Sequence, residues 1–118
     1  MKMFLVALAA LAAVPALAQT ASVPDWPACE VRSTGWETGA AAVTMRVRRD
    51  GACAVTTPAN NRLDHALTTP PSNGTAAPGG ARTVYRPNPG FVGRDVFIVR
   101  VAVAGMAPRF MTVDVEVR

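Results

Sequence analysis

The fold is decided by two segments of alternating sequence, DVFIVRVAV at residues 95–103 and MTVDVEV at residues 111–117. In the second segment every other residue is Met or Val, and the residues between them are Thr112, Asp114 and Glu116. This period of two predicts a strand with one buried face. In the first segment both alternating faces are largely apolar, which indicates a central strand or one partly covered on both sides.

A second pair of alternating segments lies at 43–48 and 52–56, on either side of Arg49-Asp50-Gly51. We expect a hairpin with a three-residue loop, because only that register places Val47 opposite Cys53 on an apolar face. In such a loop Gly51 takes the left-handed conformation of a bulged turn, where a side chain would clash.

The two cysteines, Cys29 and Cys53, predict one disulfide. Cys29 has the same phase as Val31, so we expect both cysteines on inward faces of packed strands. The closed loop of about 25 residues corresponds to about 3 kcal/mol of stabilisation in the chain-entropy treatment. The alternative, two free thiols for a metal or a redox partner, lacks a Cys-x-x-Cys spacing.

The N-terminus has the pattern of a secretory signal. Lys2 is followed by an apolar run from Phe4 to Val14, Pro15, and the small-x-small sequence Ala16-Leu17-Ala18. We expect cleavage after Ala18, because signal peptidase binds small residues there. The alternative, a retained membrane anchor, requires about 20 apolar residues. The expected product is a bacterial-type periplasmic or secreted protein without a transmembrane segment.

Cleavage would leave one domain of about 100 residues. Residues 19–28 contain Pro24 and Pro27 and are expected to form an extended lead-in, with the folded domain at 29–118. Apart from Lys2 every basic residue of the chain is Arg, and these exceed the 8 acidic residues by three. A GC-rich genome would favour Arg as well as Ala, Gly, Pro and Val, so the arginines alone do not indicate an anionic ligand.

The sequence YRPNPGFVGRDVF at residues 85–97 resembles the signature of bacterial immunoglobulin-like and cadherin-like repeats, Tyr-x-Pro-x-x-Gly-Phe-x-Gly-x-Asp-x-Phe. Pro71-Ser72-Asn73-Gly74-Thr75 is similar to the Pro-x-x-Gly-Thr turn of the same family. The signature positions are Tyr85, Pro87, Gly90, Phe91, Gly93, Asp95 and Phe97. The resemblance covers residues 71–117 and implies an all-β, immunoglobulin-like β-sandwich of about seven strands.

The signature residues have physical roles in such a fold. Tyr85 and Phe97 would supply large buried area on neighbouring strands. Pro87 would end a strand, because proline cannot donate to the ladder. Asp95 is expected to accept backbone hydrogen bonds in the corner. The acidic runs that bind calcium between cadherin-like repeats are missing, this chain holds a single copy, and the first half of the domain is not covered.

The sequence offers little for catalysis or metal binding. Asp64, the one histidine His65, and Ser72 could be imagined as a triad, but there is no Gly-x-Ser-x-Gly elbow. A metal site needs three or four ligands, which one His and a disulfide-bonded Cys pair do not provide. We therefore expect no enzyme activity, no cofactor and no metal.

Two features could bind a partner. The arginines Arg32, Arg46, Arg48 and Arg49 could form an outward row that meets an anionic surface; the alternative is a solvated face that protects an edge strand from pairing. Trp26 and Trp36 could form an aromatic platform or could cap the open end of the core. The expected partner is an unidentified protein or envelope glycan and not a specific nucleic acid, and the oligomeric state is left open.

These observations predict a non-enzymatic exported binding or structural module of the cell envelope. The alternative is an inhibitor or accessory subunit that binds a periplasmic enzyme by edge-strand addition, with the irregular segment 60–80 reaching the enzyme.

Overall fold

A computed structural model describes residues 26–36, 39–57 and 63–118. The predicted signal peptide and most of the lead-in lie outside these residues. The described part of the chain contains eight strands and no α-helix. They are β1 (Cys29–Thr34), β2 (Ala40–Val47), β3 (Cys53–Thr56), β4 (Leu63–Thr69), β5 (Gly74–Gly79), β6 (Arg82–Pro87), β7 (Gly93–Val103) and β8 (Arg109–Val117). The all-β prediction is confirmed, with eight strands in place of about seven.

The strands form two sheets. The larger sheet has the order β1-β2-β8-β7-β4, and the smaller has the order β3-β6-β5. Neighbouring strands are antiparallel except for β2 and β8, which run parallel with Val43 opposite Val113. The long apolar strand β7 lies inside the larger sheet, between β8 and β4, as its sequence predicts. Its outward Val96 is nevertheless 44% exposed.

The predicted hairpin across residues 49–51 is wrong. β2 pairs with β1 and β8, whereas β3 pairs with β6 in the other sheet, so the chain crosses between the sheets at this point. The left-handed residue of the crossover is Asp50, with φ of 60°, and Gly51 does not have a positive φ. The Asp50 carboxylate accepts a hydrogen bond from the Gly90 amide at 2.9 Å, which ties the crossover to the corner before β7.

The core lies between the sheets and is built by the alternation that the sequence shows. Burial along β2 and the last part of β8 changes at every residue, with the inward residues almost fully buried. From opposite sheets, the rings of Tyr85 and Phe97 stack with centroids 5.7 Å apart. Both residues are buried as expected, although their strands face each other and are not neighbours in one sheet. Burying a side chain of this size contributes about 1.5–3 kcal/mol.

The predicted disulfide between Cys29 and Cys53 is present, with the Cα atoms 5.2 Å apart. It joins the edge strands β1 and β3 of different sheets on one side of the molecule. Cys29 lies opposite Val47 and therefore has the inward phase that was predicted. It is exposed all the same, because β1 is an edge strand, whereas Cys53 is buried.

The segment expected to be irregular, residues 60–80, contains β4 and β5. β5 extends from Gly74 to Gly79, and the turn that leads to β6 begins at Gly80. In the described residues, no helix is both long and apolar enough to cross a membrane.

Candidate functional site

The predicted arginine row is only partly assembled by the fold. Arg32 lies opposite Thr44, and Arg46 lies opposite Glu30, so both arginines project from the outer face of the larger sheet. Arg48 and Arg49 follow β2 in the crossover and are exposed.

Glutamates that the sequence analysis did not assign to this surface interrupt its positive charge. Glu30 lies 3.1 Å from the Arg32 guanidinium and 3.7 Å from that of Arg46. Two strands further along the sheet, Glu116 lies 3.8 Å from Arg94 and 3.1 Å from Arg118. The face therefore carries alternating charges and not a continuous cationic row. Each exposed pair contributes about 0.2–1 kcal/mol, so these pairs do little for stability.

Trp26 is buried and is not an open aromatic platform. Its side chain is 7% exposed and lies outside the core cluster of the described residues. The indole donates to the carbonyl of Val47 at 3.0 Å, and the Arg48 side chain donates to the Trp26 carbonyl at 2.9 Å. The guanidinium groups of Arg46 and Arg118 lie 5.2 and 4.3 Å from the ring centroid. A ligand that stacks on this ring would have to displace these arginines.

The opposite end of the larger sheet holds an apolar cavity of about 530 Å³. It lies where β1 ends, β4 begins, β7 ends and β8 begins. The described residues that line it are Ser33, Trp36, Thr57, Leu63, Val101, Val103 and Arg109. A volume of this size is in the range of about 300–1,000 Å³ typical of sites for small ligands.

Two hydrogen bonds order the polar part of this cavity. The Trp36 indole donates to the hydroxyl of Ser33 at 3.1 Å. The guanidinium of Arg109 donates to the carbonyl of Trp36, which joins the start of β8 to the end of β1. Trp36 also packs on the core, in agreement with the capping interpretation for this one of the two tryptophans. Among the described residues, those that line the cavity combine an aromatic and aliphatic wall with one guanidinium and two hydroxyl groups.

The only histidine lies behind the cavity, in a buried polar network between the sheets. Nε2 of His65 is 3.1 Å from the hydroxyl of Thr57, and Nδ1 is 2.7 Å from the hydroxyl of Thr83. Thr57 can donate to the carbonyl of Ala81. This leaves its oxygen to accept from Nε2–H, while Thr83 donates to Nδ1. Burial lowers the pKa of His65, against the weaker opposing effect of the Asp64 carboxylate, and so favours this neutral imidazole.

The imagined triad is not assembled. Both ring nitrogens of His65 are bonded to threonines, and Ser72 belongs to the turn that surrounds Asp95. Within the described ranges there is no group of three or more His, Cys, Asp or Glu residues that could hold a metal ion.

Asp95 is the centre of the corner formed by the signature residues. Its carboxylate accepts hydrogen bonds from the backbone amides of Ser72, Asn73 and Val96 at 2.9, 3.0 and 2.9 Å. The hydroxyl of Tyr85 donates to it at 2.9 Å. Burial and the neighbouring carboxylate both raise the pKa of Tyr85, which keeps this donor protonated. The predicted role of Asp95 as an acceptor of backbone hydrogen bonds is confirmed.

The other signature residues shape the same corner. β6 ends at Pro87, as predicted. Gly90 and Gly93 have φ of 77° and 141°, which a residue with a side chain rarely adopts. Phe91 is half-buried against the core. These residues hold the turn between the two sheets and do not line the cavity.

No family of known proteins has a sequence model that matches this chain, and no curated protein matches it. The described residues that line the cavity lie far apart in the sequence. Of these residues, only Trp36 was predicted from the sequence as a candidate for binding a partner.

Proposed function

We propose that this chain is a non-enzymatic, exported immunoglobulin-like binding module of the cell envelope. The strand order supports the fold assignment. When β2 to β8 are named A to G, the sets β8-β7-β4 and β3-β6-β5 correspond to the G-F-C and B-E-D sets of an immunoglobulin-like sandwich. Strand A, which is β2, departs from the arrangement in which A joins B, E and D, because it pairs with strand G (β8) in the larger sheet.

The disulfide supports export. A bond between Cys29 and Cys53 forms and persists in an oxidising compartment such as the bacterial periplasm. This agrees with the signal sequence predicted at residues 1–18, and the same prediction places the mature N-terminus at Gln19.

The observation that carries the proposal of a binding role is the apolar cavity at the end of β7. Val101, Val103 and Leu63 provide a wall that can bury an aliphatic or aromatic group. Arg109 provides a planar donor for a carboxylate, phosphate or carbonyl on the same ligand. We therefore propose a ligand, or a protruding segment of a partner, that has an apolar group beside an anionic or hydrogen-bond-accepting group.

The absence of catalysis is part of the proposal and is supported by the bonding of His65. Both of its nitrogens are occupied by buried threonine hydroxyls, so the imidazole has no free atom for a substrate. A general base must reach the proton that it abstracts, at about 2.6–3.2 Å or through one water.

The experiment compares capture by the oxidised protein and by two variants of the same strand. Val103→Arg fills the cavity with a charged side chain, whereas Val96→Arg adds the same side chain on the outer face of β7. We expect molecules captured from an envelope extract by the wild type and by Val96→Arg to be lost with Val103→Arg. Equal capture by all three proteins would contradict a binding role for the cavity.

The second candidate function is an inhibitor or accessory subunit that pairs with a periplasmic enzyme. It is favoured by the outer edge of β1, which pairs with no strand among the described residues. Recovery of one enzyme in a one-to-one complex, unaffected by Val103→Arg, would favour this function over the first.

A further inference from the structure

We propose that two copies of this chain associate through antiparallel pairing of their β1 strands. The outer edge of β1 (Cys29–Thr34) is the feature that permits this, because in the described part of the chain β1 pairs only with β2. An unpaired edge presents backbone donors and acceptors that a further strand can satisfy. β-Strand addition of this kind is a common mode of protein recognition.

The faces of β1 restrict the register of such a pair. Glu30 and Arg32 project outward, whereas Cys29 and Val31 lie opposite the inward residues Val47 and Met45 of β2. Residues directly opposite each other in an antiparallel pair point to the same face. The outer faces of the two sheets are continuous only when outward residues oppose outward residues. The two-fold axis must therefore lie midway between the two copies of one residue, which is then opposite itself. We call this an axis through that residue.

Charge then selects one register among those that pair most of the strand. An axis through Glu30 brings two glutamates together, and an axis through Arg32 brings two arginines together. An axis through Val31 places Glu30 opposite Arg32 of the second copy, and by symmetry Arg32 opposite Glu30 of the second copy. The strand is therefore complementary in charge to itself, and the proposed occupant of this edge is a second copy of the chain.

The surroundings of β1 are compatible with this pairing. The side chain of Arg32 is 78% exposed and that of Glu30 is 33% exposed, so both can reach across the edge. Arg46, 3.7 Å from Glu30, remains on β2 and supports that carboxylate from behind. The disulfide fixes the start of β1 to β3, which limits the loss of conformational freedom when a second strand binds.

The test is sedimentation equilibrium of the oxidised protein at concentrations up to about 1 mM, with charge variants. We expect a reversible dimer. Arg32→Glu replaces two attractions by two repulsions and should raise the dimer Kd by about 10-fold or more. The double variant Glu30→Arg with Arg32→Glu restores opposite charges in the proposed register and should return the Kd to within about 3-fold of the wild type.

Arg94→Glu is the matched control. Arg94 is 81% exposed and is also bridged to a glutamate, but it lies on β7, three strands away from β1. It should leave the Kd unchanged. If Arg32→Glu does not fold, as judged by near-UV circular dichroism, Arg32→Gln should raise the Kd by about 3-fold.

A protein that is monomeric over the whole range would overturn the proposal. A dimer that Arg94→Glu weakens as much as Arg32→Glu would also overturn it, as would failure of the folded double variant to restore association. The proposal is separate from ligand binding, because Val103→Arg should not change the Kd of the dimer.

Discussion

Removing one hydroxyl group from the corner around Asp95 should destabilise the domain measurably. In Tyr85→Phe the ring keeps its place against Phe97, and only the O–H that donates to the Asp95 carboxylate at 2.9 Å is lost. A hydrogen bond to a charged group contributes about 1.5–3 kcal/mol, so we expect a loss of that size in the free energy of unfolding.

Asp95→Asn should cost more than Tyr85→Phe. The carboxylate accepts four hydrogen bonds, two on each oxygen. In Asp95→Asn an NH₂ group replaces one of these oxygens, and this group cannot accept the two hydrogen bonds that the oxygen receives. Asp95 is 7% exposed, so water replaces little of what is lost, and we expect about 3–5 kcal/mol. The double variant should cost less than the sum of the two single variants by about 1.5–3 kcal/mol, because both remove the same bond.

The assay is urea unfolding of the oxidised protein followed by far-UV circular dichroism, with Asp114→Asn as the matched control. Asp114 is exposed on the adjacent strand β8, opposite Val96, and should change stability by less than about 0.5 kcal/mol. A cost of less than about 0.5 kcal/mol for Tyr85→Phe, or a cost for Asp95→Asn no larger than that for Asp114→Asn, would refute a stabilising role for the hydrogen bonds of Asp95.

The other predictions concern the disulfide, one close approach and one buried base. Replacing Cys29 and Cys53 by Ala should lower the free energy of unfolding by about 3 kcal/mol in urea titrations, and an unchanged value would contradict the stabilising role of the bond. Gly74→Ala places a Cβ 2.5 Å from a backbone oxygen and 2.9 Å from the Tyr85 ring, so it should cost about 1–3 kcal/mol, whereas Gly79→Ala, with no atom within 4 Å, should cost less than about 0.5. Burial lowers the pKa of His65 below 6.5, so the unfolded chain binds the proton more readily and the free energy of unfolding falls as the pH drops below about 6.5. In His65→Gln the decrease in the free energy of unfolding between about pH 7.5 and 5.5 should be smaller than in the wild type. Equal decreases in the two proteins would exclude His65 as the source.

The alternation of the sequence predicts which residues face the core, but it does not predict which sheet each strand joins. Val47 and Cys53 are both buried, as the period of two requires. The same phase is compatible with a hairpin and with a crossover between facing sheets, because in both cases the apolar side chains meet. The parallel partner of β2 is β8, which lies at the far end of the sequence, and no local signal identifies such a pair.

The same distinction applies to the candidate surfaces: the sequence predicts which face a side chain lies on, but not which side chains are its neighbours. The common face of Arg32 and Arg46 could be predicted from phase, whereas the bridging position of Glu30 depends on the register between β1 and β2. The cavity could not be predicted, because the sequence identifies Leu63 and Val103 only as apolar residues. Their place in the cavity wall depends on how the start of β4 and the end of β7 are arranged in the fold. The folding signature was more informative, since the four bonds of Asp95 occur within a short segment of the chain and a nearby turn.

The two tryptophans provide the most direct test of a binding role for the cavity. The Trp36 indole N–H donates to Ser33 at the cavity, and the Trp26 indole N–H donates to Val47 at the other end of the larger sheet. In ¹H–¹⁵N spectra of the oxidised protein, fractions of an envelope extract that contain the ligand should shift the Trp36 indole signal and leave that of Trp26 in place. Shifts confined to the Trp26 signal would contradict the account. It would also be contradicted if neither signal shifts in any fraction from which the immobilised protein removes a component.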